Sequence, residues 1–478
     1  MEARSRSVSG SSLNSTGGGI PLIDFNSSRE PSPLPYARNR SAAVSEDEDD
    51  GFGDDFAVPE SLRPLVGQGS LVKRGKFKSI FTEGGLESFL NGTWLGWQVS
   101  VVLGIIWVGG CSFGVLLMNR FILWSKSFQL EKFPYPLTTT LIELGITHLL
   151  LLFTASFTRT VAAPFRKLGF HAAVAPAYPY SPSIKGKARW LRAGSSGGIA
   201  GGGILEFDLK VARQCLPLVI VFVLKLVLSN ISFAYAVVQI YTLSRLATVP
   251  LTLLLTTLLT RTSHSLSTLS TSLIATLNLL IASIRPGVRV TWESVLAGVS
   301  SSLFVALYPL LLVQTHEKLT ATLVPHGESL TASEGEDAAT AAPGQKEASR
   351  AYWRLLHYTS LMSMIALIPI VLISGELSDI RHNCYFLDVP WFWFLCGCGG
   401  LGSWAVFIST PLFTKSTSPL ATSMLSLPRG TLQLLTLGGH MPVHSWVGVS
   451  LCWASCAWFV LVRRGEARKM GQMAMEGR

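Results

Sequence analysis

Charge is scarce in this chain. Only 14% of its residues are charged against 48% hydrophobic, and the mean hydropathy is +0.40. A soluble domain of this length carries roughly a quarter of its residues as charges, so an ordinary soluble enzyme or binding domain is excluded. Its apolar runs also lack period-two alternation, which excludes a barrel of membrane strands. With every backbone group needing a partner in lipid, helices remain. There is no CxxC pair among the seven cysteines, Cys111, Cys215, Cys384, Cys396, Cys398, Cys452 and Cys456. Their odd number and their places in or beside apolar runs mark them as small buried hydrophobes rather than a disulfide framework or a metal site. Residues 1–90 have no apolar core near the start, so no cleavable signal peptide is expected and targeting falls to the first spanning helix.

Long apolar runs are what the chain does have. From Trp97 to Leu123 the only ionisable residue is Arg120, and from Leu216 to Thr260 there are two, Lys225 and Arg245. A crossing takes about 20 residues. Spans are expected at 97–122, 136–158, 215–234, 237–260, 266–284, 293–313, 353–374, 390–411, 419–438 and 443–462, giving an all-α polytopic membrane protein of about ten helices. Residues 1–94 are rich in Ser, Gly and Pro and hold the acidic run Ser45-Glu-Asp-Glu-Asp-Asp50; such a segment buries too little apolar surface to fold and is expected to be a disordered cytosolic tail. The acidic run reads as a solvating stretch, with Ser45 as a kinase site the sharper alternative.

Two connections are long: 159–214, basic and rich in Gly, Ser and Pro, and 314–352, rich in Ala, Gly and Glu and expected to be unstructured. Two sets of five helices are expected to flank the second of these, as halves 95–313 and 353–463 followed by a cytosolic tail 464–478. A repeat with an odd number of helices is inverted in the membrane. The 159–214 connection carries Arg159, Arg166, Lys167, Lys185, Lys187, Arg189, Arg192, Lys210 and Arg213, and the C-terminal tail adds Arg463, Arg464, Arg468 and Lys469. With ten helices both lie on one side, and the positive-inside rule makes that side cytosolic. The +10 net charge is then a topology signal and calls for no nucleic acid.

Ionisable groups inside a bilayer are costly, which makes each a functional candidate. Arg120 sits near a helix end and is expected to snorkel. Glu143, Lys225, Arg245 and Arg429 fall in the middle half of their spans. A Glu143–Lys225 ion pair accounts for two of them structurally and leaves Arg245 and Arg429 without acidic partners. An unpaired guanidinium from each half suits a phosphate-bearing ligand, because the planar fork makes bidentate contacts. Tyr241, one turn before Arg245, could stack on a base, although an aromatic residue in a membrane helix is more often packing.

Other motifs carry little. Gly69-Ser-Leu-Val-Lys-Arg-Gly75-Lys76 has one residue too many for a phosphate-binding loop and lacks its Ser/Thr. Pro442 between His440 and His444 spoils a common helical face, so no metal site is expected. Asn14, Asn26 and Asn91 begin glycosylation sequons that stay unused on a cytosolic tail.

Several motifs, in order along the chain, resemble the nucleotide-sugar/triose-phosphate translocators of the drug/metabolite transporter superfamily, with the GDP-fucose transporter branch nearest. They are Met118-Asn119-Arg120; Asp208-Leu-Lys-Val-Ala-Arg213 with Leu216-Pro217; Ser229-Asn230 and Tyr235; Val238-Gln-Ile-Tyr241 with Arg245; Trp353-Arg354-Leu355; Gly375-Glu376-Leu377; and Thr417-Ser418-Pro419-Leu420. The resemblance covers most of 97–470. It departs where related transporters of GDP-sugars carry Phe-Tyr-Asn-Asn in the seventh helix, since this chain reads His357-Tyr358-Thr359-Ser360, and where they carry a Gly-x-x-Lys type motif in the ninth, since it reads Ser426-Leu427-Pro428-Arg429. The cation survives, whereas the amides that read guanine do not.

The resemblance implies two inverted five-helix repeats in a Golgi or endoplasmic reticulum membrane. It implies an antiporter, not an enzyme, that exchanges a nucleotide sugar such as GDP-fucose or GDP-mannose for a nucleoside monophosphate. Its substrate-binding residues would be Arg245, Arg429, Tyr241, Tyr358, Thr359, Ser360, Asn230 and Lys225, with no cofactor and no metal; its partners are the two substrates and the lipid bilayer, and a homodimer is compatible with it. The alternatives are a sugar-phosphate/phosphate translocator and a transport-inactive receptor or scaffold of the same fold. A membrane-embedded transferase would need a carboxylate or His constellation, and only isolated residues such as Glu143 and His148 are present.

The charge bias yields a direct test of topology. Protease added to sealed microsomes should remove the N-terminal tail, and glycosidase should leave the electrophoretic mobility unchanged. A glycan on Asn14, Asn26 or Asn91 contradicts the orientation.

Overall fold

A computed structural model describes residues 94–124, 133, 135–167, 173–176, 198–204, 206–284, 291–323, 345–383 and 390–476. Fourteen helices run through them: α1 Trp94–Trp124, α2 Pro136–Thr160, α3 Ala162–Lys167, α4 Leu209–Tyr235, α5 Val238–Ser244, α6 Thr248–Thr260, α7 Leu266–Ser283, α8 Trp292–Leu323, α9 Gln345–Ser374, α10 Glu376–Asn383, α11 Pro390–Ser416, α12 Pro419–Met424, α13 Ser426–Leu437 and α14 Val443–Glu476. No strand occurs among the described residues. Nine membrane-length apolar helices are found among them, with α5 and α6 counting as one, Val238–Thr260. The consecutive pieces α12 and α13 make the further crossing expected at 419–438. The chain is an all-α polytopic membrane protein of about ten crossings.

The surface is that of a protein in lipid. Leu103, Ile106, Phe153, Leu258, Leu296 and Ile373 are exposed on membrane-length helices while Thr, Ser, Gly and Ala residues lie inside. This inversion is expected where lipid is as apolar as leucine and close packing of small residues drives association. The fifth and tenth crossings show it plainly. Thr271, Ser272, Ala275 and Ala282 of α7 are buried, and Asn278 Nδ2 donates to Ser455 Oγ at 2.9 Å across to α14. A Cβ on Gly448 would lie 2.7 Å from the Ala282 amide nitrogen and 2.9 Å from the Asn278 carbonyl oxygen.

Helix pairing follows a pseudo-twofold pattern. The sixth crossing, α8, packs on the third, α4, and the eighth, α11, packs on the first, α1. The second and seventh, the fourth and ninth, and the fifth and tenth crossings pack on one another. Each pair maps to itself or to another pair when crossing n is exchanged with n+5, the relation of inverted repeats. The break between repeats therefore falls at 284–291, one helix before the boundary expected at 313, with six crossings ahead of the 314–352 connection and four behind it. The spans expected from hydropathy already divide six and four about that connection, so a division into halves by loop length miscounts them; symmetry constrains helices and not the connections between them. That connection is also partly helical: α8 runs on to Leu323 and α9 starts at Gln345. The acidic tail, the sequons, Cys384 and residues 168–172, 177–197 and 205 of the basic 159–214 segment lie outside the described residues; the other six cysteines are free thiols.

Both ends of α9 are tied down. At one end Glu376 accepts from the α2 amides of Leu137 at 3.2 Å and Thr138 at 2.7 Å, a carboxylate on a helix N-terminus. At the other, Glu206 pairs with Arg354 at 3.6 Å, the His357 Nε2–H donates to Glu206 O at 3.0 Å, and the Asp208 amide donates to Tyr358 Oη at 2.7 Å.

The α7–α14 crossing gives a stability prediction. Gly448→Ala forces a methyl group into backbone that cannot rotate away, and overpacking of this kind costs about 1–3 kcal/mol. Its melting temperature in detergent should fall below that of Gly465→Ala, whose Cβ meets nothing within 4 Å. Equal melting temperatures contradict the packing.

Candidate functional site

Two prolines create the site. A proline has no N–H to give to the carbonyl four residues earlier and its ring crowds that carbonyl. Pro250 and Pro428 sit third in α6 and α13, and the fourth and ninth crossings break just before them, at 245–247 and at Leu425. The N-terminal residues of the resumed helices, Thr248 and Ser426, both line one cavity. Helix N-termini carry partial positive charge and unsatisfied N–H groups, so an anion is favoured there.

Arg245 and Arg429 line the same cavity with Tyr241 and Gln433, and no Asp or Glu is among its lining residues. Arg245 caps α5. Its guanidinium donates to Tyr241 Oη and lies 5.2 Å from the centre of that ring; Tyr241 Oη is 3.4 Å from Ser229 Oγ. Arg429 Nε is buried with no hydrogen-bond partner. Lys225 of α4 stands behind them, its ammonium 3.9 Å from the Tyr308 ring centre and 5.4 Å from that of Phe222, within electrostatic reach of both arginines. Aromatic faces attract a cation without neutralising it. Three cations thus converge from the third, fourth and ninth crossings, each repeat contributes an arginine and a helix N-terminus, and none of the three cations forms a salt bridge among the described residues. The cavity is narrow, with room for water but not for a nucleotide sugar, so a ligand of that size requires the halves to separate.

The structure brings together Arg245, Arg429, Tyr241 and Lys225 and leaves the other expected residues elsewhere. Tyr358 is fully buried against Phe207 and holds the Asp208 amide. Ser360 Oγ is bonded to His148 Nδ1 at 3.0 Å. The buried Thr359 hydroxyl has no partner. All three pack between α9 and its neighbours, outside the cavity. Asn230 Nδ2 donates to Thr140 Oγ1 at 2.5 Å and tethers α4 to α2.

The Glu143–Lys225 ion pair is not formed. Among the described residues the salt bridges are Arg354–Glu206 and Arg463–Glu466. Glu143 is buried beside Asn119 of α1, and its Oε1 would lie 3.0 Å from a Cβ on Gly399 of α11, whereas Lys225 faces Tyr308 of α8. The two side chains face different helices. Gln433, Thr248 and Ser426 were missed because none is ionisable; the available signal was that Gln433 follows Arg429 by four residues and so shares its helix face.

The fold and cavity define a polytopic membrane protein with a cationic site between its fourth and ninth crossings. No family model matches the chain. The chain is similar to curated relatives named GDP-fucose transporter 1 from Dictyostelium discoideum, 24% identical over 55% of this chain and 64% of the relative, and GDP-fucose transporter 1 from Mus musculus, 24% identical over 68% and 70%. A third, named GDP-fucose transporter, Golgi, from Drosophila melanogaster, is 24% identical over 56% of this chain and 70% of the relative. The match thus spans less than two thirds of the Dictyostelium protein. A solved structure aligned over 75% of this chain is 12% identical with a TM-score of 0.39, too slight a likeness to bear on function. These relatives bear out the resemblance read from the motifs: the chain is similar to the nucleotide-sugar transporters, in their GDP-fucose branch.

Separate environments for Glu143 and Lys225 make their substitutions independent. The destabilisation of the Glu143→Gln, Lys225→Met double variant, measured by thermal unfolding, should equal the sum of the single effects within about 0.5 kcal/mol. Rescue of one substitution by the other contradicts this arrangement.

Proposed function

We propose that this chain moves a nucleotide sugar across a Golgi membrane, with its phosphates held in the cavity between the fourth and ninth crossings. The observation that carries the reading is the convergence of Arg245 and Arg429 on a cavity whose lining holds no carboxylate. Names of the relatives support a GDP-linked sugar such as GDP-fucose as substrate, and a transporter rather than an enzyme. In the proposed cycle both arginines grip phosphate oxygens, neutralising their own desolvation cost, and the repeats then rock about the bound ligand. An empty cavity keeps its cations unbalanced and is costly to reorient. Return therefore needs a second phosphate ligand, which makes the nucleoside monophosphate the natural counter-substrate. Both termini face the cytosol in this scheme.

A second reading is favoured by one observation. Tyr358 and Ser360 are engaged in packing α9 against its neighbours, and the base-reading amides of related transporters are absent there. A phosphorylated sugar without a base needs only the cationic cavity, and a nucleotide-sugar uptake panel separates the two readings.

In proteoliposomes, Arg245→Gln or Arg429→Gln should abolish exchange while expression stays normal, because removing an unpaired buried charge relieves a desolvation cost. Arg429→Lys should retain part of the activity and Arg245→Lys less, if Arg245 makes the bidentate contact. Normal exchange by the double Gln variant contradicts the mechanism.

A further inference from the structure

Phosphate chemistry leaves one group in the cavity unused. Gln433 lines it, four residues past Arg429 on α13, and is 2% exposed. Its Nε2 is buried without a hydrogen-bond partner. A polar group so placed costs free energy until something satisfies it. Arg245, Arg429 and Lys225 can only donate. The aliphatic hydroxyls of the lining already donate to nearby backbone carbonyls, Thr242 to Val238 O at 2.8 Å, Thr248 to Arg245 O at 2.7 Å and Ser426 to Ser423 O at 2.6 Å, and the Tyr241 hydroxyl is engaged by Arg245. Gln433 is the one amide among the lining residues, able to donate and accept at once. A phosphate would engage only the Nε2 donor, whereas ring hydroxyls can accept from Nε2 and donate to Oε1, so the whole amide is matched to a hydroxyl-bearing part of the ligand. Side chains four apart on a helix are about 5–6 Å apart, which suits the reach from a phosphate to the hydroxyls of the ring it esterifies.

We propose that Gln433 recognises a hydroxyl of the sugar ring joined directly to the phosphate held by Arg429. This rests on the phosphate reading given above. The ring is either the ribose of the nucleotide or the transported sugar, and the two share the same chemistry.

The test uses purified full-length protein and ligand-induced thermal stabilisation. Probes are pyrophosphate, guanosine monophosphate with its 2′-deoxy and 3′-deoxy analogues, and fucose 1-phosphate with its 2-deoxy analogue. The wild-type protein should lose about tenfold in affinity for a deoxy analogue in one arm; the arm in which it does identifies the ring. Gln433→Leu should bind the hydroxylated ligand about tenfold more weakly and no longer discriminate, while its pyrophosphate affinity stays within about twofold of wild type. Gln433→Asn, which keeps the amide but withdraws it by one methylene, should lose discrimination too and decides the matter if the leucine variant fails to fold. Intact pyrophosphate binding with undiminished discrimination in the variants, or no discrimination by wild type in either arm, overturns the role of Gln433. Absence of pyrophosphate binding by wild type overturns the phosphate reading itself.

Discussion

Lys225, Arg245 and Arg429 hold like charges near one another in a low-dielectric interior, and no Asp or Glu lines the cavity that the two arginines share. Repulsion of this kind is many times stronger than in water, and burying an ion carries an effective penalty of several kcal/mol. The surrounding structure reduces the penalty without cancelling it. Tyr308 and Phe222 offer ring faces to Lys225, and Tyr241 offers its ring and hydroxyl to Arg245. Arg429 keeps a buried, unbonded Nε. In the proposed cycle an anion supplies the balance left over, and this stored imbalance drives both binding and obligatory exchange.

The fold places that imbalance where it can be used. Proline breaks in the fourth and ninth crossings place irregular backbone beside the cavity, tolerable inside a membrane only where it is lined by protein or water. One broken crossing belongs to each repeat, so a ligand bridging Arg245 and Arg429 bridges the moving bodies. Their other contacts are dry and close, as at Gly448, or polar, as where Glu376 of α10 holds the start of α2 and Tyr358 of α9 holds the start of α4. Transport would leave the first kind intact and release the second in turn.

Much of this was legible from residue types alone. The crossings followed from hydropathy, and the two arginines from being charges with no opposite number. Depth along a helix could be counted, but rotation about its axis could not. Glu143 and Lys225 were therefore matched by depth, whereas the structure turns one toward Asn119 and Gly399 and the other toward Tyr308. Tyr358, Thr359 and Ser360 were placed by their position in a related motif, and here those positions serve the packing of α9. Gln433 escaped notice because a search for buried charge passes over a neutral amide. The repeat boundary was misplaced because the longest interruption in the chain is not where the symmetry breaks.

The central claim is that one phosphate-bearing ligand is held by an arginine from each repeat. It is tested most directly by measuring 31P–15N dipolar couplings between bound pyrophosphate and 15N-labelled arginine guanidiniums in protein reconstituted in lipid. Two arginines should show short contacts to phosphorus, one vanishing in Arg245→Lys and the other in Arg429→Lys. Contacts that persist in both variants, or none in the wild type, contradict the account.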